Sequence, residues 1–355
     1  MAEHWQDLLG IDQVGIEDNF FELGGHSLMA LQVVSHVHKS YGVEIPMQLV
    51  FESPTVAALV EALGDKAERS QEEPSPIVPL QPLGDLSPFF FVHPAGGFVS
   101  EYSHLARLLG TERPFYGLQA QGTETDEVPH DRIEEMASSY VAAVREAQPQ
   151  GPYFLGGWSF GGIVAFEMAR QMAADKDRIA LMVVGDIAAP GEHHWTREGP
   201  GSDADIVTFF ARENGLEIDQ EELSKVPPEE HADYITQLAI REGFLSEGGD
   251  RYIRRFLRVF RAAHDAGRAY APELCDVEIT LLRTDDETVE TGMVPGSLGP
   301  DIGWHLYSSK DVRIVKIPGR HINAVAPPHA EVMAERLREL LEEAQLRTQL
   351  VGHEV

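Results

Sequence analysis

A chain of 355 residues, 43% of them hydrophobic, is long enough for two or three domains with cores of their own, which excludes a disordered or fibrous protein. A formal charge of −30 repels nucleic acid and anionic membrane, and no run of about 18 apolar residues is available to cross a bilayer. The opening MAEHWQDLLGID is acidic and amphipathic, unlike a targeting segment, so a cytoplasmic protein that binds neither is expected.

Residues 1 to about 63 read as helices, with Ala30, Val33, Val34 and Val37, and then Val56, Leu59, Val60 and Leu63, at helical spacing. A small helical bundle follows. Within it, DNFFELGGHSL places Ser27 after two glycines at the start of an amphipathic helix, where the helix dipole favours a phosphate ester. The same spacing suits a serine that merely caps the helix. After Leu63 the run GDKAERSQEEPSPIVP is charged and proline-bearing, the composition of a linker.

From about residue 77 short apolar runs alternate with amphipathic ones: PFFFVH (88–93), FYGLQA (115–120), YFLGGWS (153–159), ALMVVGD (180–186), DVEITLLRT (276–284) and VRIVKIPG (312–319). Strands alternating with helices predict a mostly parallel α/β sheet. Cys275, the only cysteine, rules out an internal disulfide and reads as the start of a buried strand. From about 190 to 270 helical patterns run without a strand between them, as in a lid inserted over a sheet edge. In the last of these, Ile253, Phe256, Leu257 and Phe260 face the protein. Most of Arg251, Arg254, Arg255, Arg258 and Arg261 are then expected to point outward, a candidate docking face for the acidic N-terminal unit with its Asp18, Glu22, Glu44 and Glu52.

Gly157-Trp158-Ser159-Phe160-Gly161 is a G-x-S-x-G pattern between an apolar strand and a helical run, the context in which the glycines let the chain turn sharply and expose the serine. Serine needs a histidine to take its proton and a carboxylate to hold that histidine's tautomer. His321, after the last predicted strand and a glycine turn, is the candidate base. His93, His193, His194 and His329 are expected to be surface or structural residues, and no H-x-x-x-H or H-E-x-x-H spacing supports a metal, so none is expected. Asp186 and Asp285 or Asp286 each end a strand in the order Ser, Asp, His, which leaves the acid open between them. An oxyanion hole needs two N–H groups: Phe160 supplies one, and Ala95 is the first residue after proline Pro94 able to supply the other.

The whole string DNFFELGGHSL resembles the phosphopantetheine-attachment motif of peptidyl carrier domains in nonribosomal peptide synthetases. The resemblance runs from about residue 5 to 63, with VFESPTVAALVEAL similar to the family's closing helix, and implies 4′-phosphopantetheine covalently on Ser27. PFFFVHPAGG, PFYGLQAQG, GPYFLGGWSFGGIVAFEMARQM and GRHINAV resemble the type I thioesterases that end such synthetases, the lid being least similar. That resemblance implies a four-helix-bundle carrier (1–64), a linker (65–76), an α/β-hydrolase thioesterase with a helical lid (77–347, lid about 190–270) and a tail (348–355). In that family the triad acid usually follows the strand after the nucleophile helix, which points to Asp186. The implied activity transfers a peptidyl thioester to Ser159 and releases it by macrocyclisation, oligomerisation or hydrolysis, with His321 as base. Implied partners are upstream condensation and adenylation domains, a phosphopantetheinyl transferase and the peptidyl substrate. An editing hydrolase and an inactive docking module are the alternatives.

Overall fold

The computed structural model describes residues 1–21, 23–25, 27–43, 45, 47–66, 75–191, 204, 208, 218–227, 230–242, 250–285 and 299–352. The chain forms two compact units: Met1–Pro74 with Glu124–Asp126 and Pro200–Arg258, and Ser75–Thr123 with Glu127–Gly199 and Val259–Val355.

Among the described residues of the first 66 are four helices, α1 (Ala2–Leu9), α2 (Ser27–Tyr41), α3 (Met47–Glu52) and α4 (Val56–Lys66). α1 stops at Gly10, whose left-handed backbone lets its N–H return to the Gln6 carbonyl. The helices close on the fully buried Trp5 and Phe20, whose rings are 4.7 Å apart. Ala30, Val33, Val37, Val56 and Leu59 are buried as their spacing predicts, whereas Val60 is 53% exposed.

The second unit is built on a seven-stranded sheet in the order β1-β3-β2-β4-β5-β6-β7. The strands are β1 (Ile77–Gln81), β2 (Phe89–Val92), β3 (Phe115–Leu118), β4 (Tyr153–Trp158), β5 (Ile179–Gly185), β6 (Ile279–Thr284) and β7 (Val312–Ile317). All neighbours are parallel except β1 and β3. β1 is absent from the predicted strands because IVPLQ carries a proline. With no N–H to contribute, Pro79 is tolerated on an edge strand. β6 begins four residues after Cys275, which makes only an isolated bridge to Ser308, and burial pushes its thiol pKa up.

β2, β4 and β5 are continuously apolar because both faces of the sheet are covered there. Phe90, Val92, Leu155 and Val184 pack with α6 (Ile133–Ala147) and α7 (Phe160–Ala174) through Tyr140, Ile163 and Phe166. The alternate residues Phe89, Phe91, Phe154 and Val183 join Leu105 of α5 (Ser103–Leu109) and Leu337 and Leu341 of the last helix.

Between 190 and 270 the described elements are α8 (Gln220–Leu223), α9 (His231–Arg241) and α10 (Asp250–Ala269), with no strand among the described residues. Ile253, Leu257 and Phe260 of α10 are buried, as predicted. Of the arginines, Arg251, Arg254 and Arg261 are exposed as expected, whereas Arg255 and Arg258 are half-buried. Arg254 pairs with Asp233 of α9, Arg255 is 16% exposed and bonds the Asp126 carboxylate at 2.9 Å and the Glu124 carbonyl at 2.7 Å, and Arg258 donates to the Thr125 carbonyl at 3.1 Å. Helical spacing tells which face is polar but not what covers it. Here a neighbouring segment supplies acceptors that guanidinium donors satisfy. The last helix, α11, runs from His329 to Gly352, through the position where a tail is expected to start.

Candidate active site

β4 ends in the buried Trp158, and the next residue, Ser159, has φ 55° and ψ −131° before α7 begins at Phe160. A serine held there stores about 1–3 kcal/mol of strain. The turn is held by the Ser159 N–H on the Gly185 carbonyl and the Gly162 N–H on the Ser159 carbonyl, both 2.8 Å. Gly157 and Gly161 make it possible: a Cβ on the first would collide with the Gly161 backbone, and one on the second with the Val92 and His93 carbonyls.

Asp186 follows β5, also at positive φ (44°), with its N–H on the Leu282 carbonyl at 2.8 Å. Its carboxylate is buried and fully used. Oδ1 accepts from the Arg283 guanidinium at 2.9 Å and the Thr284 N–H at 3.1 Å, and Oδ2 accepts from the Thr284 hydroxyl at 2.8 Å and His321 Nδ1 at 3.2 Å. Burial alone pushes this carboxyl pKa up, but the hydrogen bonds and charge of His321 and the two Thr284 donors outweigh it and hold it below the usual carboxylate range.

His321 lies in the turn after β7. Its carbonyl accepts the Trp158 indole N–H at 3.0 Å, its ring sits 5.5 Å from that indole, and its Nε2 is 2.9 Å from the Ser159 hydroxyl. With Nδ1–H donated to Asp186, Nε2 presents the lone pair that the serine proton needs. The structure thus brings together Ser159, Asp186 and His321 from three strand ends. Asp285 is exposed, its N–H bound to the Ile317 carbonyl; Asp286, His193 and His194 lie outside the described residues. Sequence reasoning missed Arg283, Thr284 and Trp158, since nothing in their local pattern indicates contacts so distant along the chain.

Phe160 opens α7, so its N–H has no intrahelical partner, and Ala95 lies in the turn that the Gly97 N–H closes on the Pro94 carbonyl at 2.9 Å. Neither N–H has a protein acceptor among the described residues. Val92 pairs with Gly157, which sets the two turns side by side.

Ser27 is the first residue of α2. Of the string before it, Phe20 is in the core, its carbonyl accepts the Gly25 N–H at 2.9 Å, and Asn19 Oδ1 accepts the Phe21 N–H at 3.0 Å; Glu22 and His26 lie outside the described residues. The first turn of a helix is the positive end of its dipole, a position that favours an anionic phosphodiester. Among the described residues no group of three or more His, Cys, Asp or Glu is placed to hold a metal, and no helix is long and apolar enough to cross a membrane.

The family described as thioesterase domain matches residues 87–341, and that described as phosphopantetheine attachment site matches residues 1–63. A dimodular nonribosomal peptide synthase of Bacillus subtilis is 38% identical over 211 residues, 59% of this chain and 9% of that protein, so the chain spans a small fraction of this relative. The crystal structure of a four-domain nonribosomal peptide synthetase bound to AMP and glycine is 29% identical, with a TM-score of 0.70, over 96% of this chain and 25% of that one. The Vlm2 thioesterase domain bound with a dodecadepsipeptide shares the fold, at 23% identity and a TM-score of 0.54 over 74% of this chain and 96% of that one.

Proposed function

From the premise that the chain belongs to the thioesterase-domain family and carries a phosphopantetheine-attachment domain ahead of it, we propose that it is the releasing end of a nonribosomal peptide synthetase, with Ser159, His321 and Asp186 as its catalytic residues. The observation that carries this reading is the unbroken relay from the Ser159 hydroxyl to His321 Nε2 and from Nδ1 to the buried Asp186. When bound, phosphopantetheine on Ser27 supplies a thiol that holds an acyl chain as a thioester.

Ser159 Oγ attacks the thioester carbonyl carbon while its proton passes to His321 Nε2. The Phe160 and Ala95 N–H groups receive the oxygen that gains charge. As the C–S bond breaks, His321 gives its proton to the leaving thiolate, and Ser159 keeps the acyl group as an ester. A hydroxyl or amine of the same acyl chain, or water, then gives its proton to His321 and attacks the ester carbonyl carbon; the bond from that carbon to Ser159 Oγ breaks, and His321 returns the proton to Oγ. Asp186 keeps Nδ1 protonated throughout and stabilises the imidazolium in each half.

The helices between 190 and 270 form the lid in this reading, and upstream condensation and adenylation domains and a phosphopantetheinyl transferase are the partners, in the cytoplasm. Residues 1–64 are the carrier and 77–347 the thioesterase. The helix end at Lys66 and strand start at Ile77 support that division. The test is mass spectrometry after treatment with a phosphopantetheinyl transferase and a synthetic peptidyl-coenzyme A. One peptidyl-pantetheine should appear on Ser27 and disappear as released product forms. Modification of a Ser27→Ala protein, or a loaded carrier that Ser159→Ala discharges as fast as wild type, would overturn the proposal.

A further inference from the structure

His93 is a fully buried imidazole that the chemistry above does not use. Its Nδ1 lies 2.7 Å from the Pro94 carbonyl oxygen and its Nε2 lies 2.8 Å from the hydroxyl of Tyr140, a residue 1% exposed on α6. The Pro94 contact fixes the tautomer. A carbonyl oxygen only accepts, so Nδ1 must carry the proton, and Nε2 is left to accept from the Tyr140 O–H, whose 2.8 Å approach to it is shorter than the 3.3 Å to its other acceptor, the Gln119 carbonyl. The opposite tautomer would set two lone pairs against each other at 2.7 Å on a fully buried imidazole.

The Pro94 carbonyl is one half of a peptide group whose other half is the Ala95 N–H. The group is planar and trans, so fixing the direction of the carbonyl fixes the opposite direction for the N–H. This carbonyl is clamped twice, by His93 Nδ1–H and by the Gly97 N–H at 2.9 Å. The imidazole also lies 6.0 Å from the ring of Phe160, the residue after the nucleophile, and a Cβ at Gly161 would strike the His93 carbonyl. The clamp therefore sits against the first turn of α7.

We propose that His93 and Tyr140 are positioning residues for oxyanion stabilisation: Tyr140 anchors the His93 ring through Nε2, His93 Nδ1–H holds the Pro94–Ala95 peptide plane, and that plane aims the Ala95 N–H at the substrate oxygen. The inference rests on the reading of Ala95 and Phe160 as donors around Ser159. Burial first, and the nearby His130, lower the His93 pKa to about 4 against the opposing effect of the Pro94 hydrogen bond. The imidazole is accordingly neutral at neutral pH, as a clamp that donates from one nitrogen and accepts at the other requires.

The experiment compares Tyr140→Phe, His93→Leu and His93→Asn in the full chain, using an acyl N-acetylcysteamine thioester as substrate and a trifluoromethyl ketone analogue that adds to the serine as a tetrahedral mimic. Loss of one oxyanion donor outright costs about 10²–10³-fold in kcat, so a donor left in place but misaimed should cost roughly 10- to 100-fold. Tyr140→Phe and His93→Leu should lose that in kcat with KM changed by less than about twofold, because the interaction is made only in the transition state. The trifluoromethyl ketone should weaken by the same factor. His93→Asn, whose amide can donate to the same carbonyl, should recover most of the loss. Tyr140→Phe removes a single oxygen and keeps the test valid if His93→Leu fails to fold. A Ser159-dependent reaction indifferent to Tyr140→Phe and His93→Leu overturns this inference alone, as does a fall in kcat without weaker ketone binding. Turnover that survives Ser159→Ala overturns the reading of the site itself.

Discussion

Replacing Asp186 by asparagine tests the relay with almost no change of volume, and the surrounding donors decide the outcome. The carboxylate accepts at both oxygens, from Arg283 and the Thr284 N–H at Oδ1 and from the Thr284 hydroxyl and His321 at Oδ2. An amide NH2 at the Oδ1 position would face a guanidinium and a backbone N–H, neither of which can accept. The amide must therefore turn its NH2 to the Oδ2 side, where the threonine hydroxyl can rotate and His321 can respond only by giving up its Nδ1 proton. His321 then carries its proton on Nε2, against the Ser159 hydroxyl 2.9 Å away, and cannot act as base. The same change in the serine-protease template costs about 10⁴-fold in kcat, or about 5.5 kcal/mol at about 1.36 kcal/mol per decade. Thiol release from a synthetic thioester gives kcat, and a fluorophosphonate gives the rate of Ser159 modification. Both should fall together. Stability carries a second signature: the Asp186 pKa is depressed in the folded protein, so its contribution is present above the unfolded value of about 3.9 and is lost as pH falls through the lower folded value. That part of the acid destabilisation should vanish in Asp186→Asn. A variant within about tenfold of wild-type kcat, or an equal loss for Asp285→Asn, would refute the tautomer argument.

Ser159→Cys should still accept acyl groups from a thioester, because thiolates are intrinsically more nucleophilic than hydroxyls, while altering how the intermediate partitions; a labelled acyl group found on another residue would refute the nucleophile. Glu167 is fully buried on α7 and accepts from Arg170 at 2.7 Å, Tyr270 at 2.6 Å and Gln171 at 2.9 Å. Glu167→Gln breaks a largely buried ion pair and should cost about 3 kcal/mol, visible as a melting temperature lower by roughly 6–12 °C. An unchanged melting temperature would show that the pair contributes nothing net.

The parts of the fold legible in the sequence are those where local pattern and final environment agree. The runs that became β2, β4 and β5 are apolar on both faces because helices cover both, and the G-x-S-x-G string carries its own turn chemistry. β1 escaped because Pro79 argues against a strand everywhere except at an edge, and edges are a property of the whole sheet. At the site, periodicity left Asp186 and Asp285 equivalent, and only the family resemblance separated them. Arg283 and Thr284, some 100 residues from the aspartate they hold, have no local signature. The arginines of α10 make the same point: spacing assigned Ile253 and Leu257 inward, while the segment that receives Arg255 and Arg258 is fixed by tertiary contact.

The two margins of the sheet bear on how copies of this chain behave when crowded. An open strand is a template for any other extended chain, and recruitment through such margins is a route to aggregation. At one margin Pro79 breaks the row of amide donors along β1. At the other, β7 bears the exposed charges of Arg313 and Lys316. Both are devices that resist strand addition, so the sheet can hold the turn at Ser159 without growing into its neighbours.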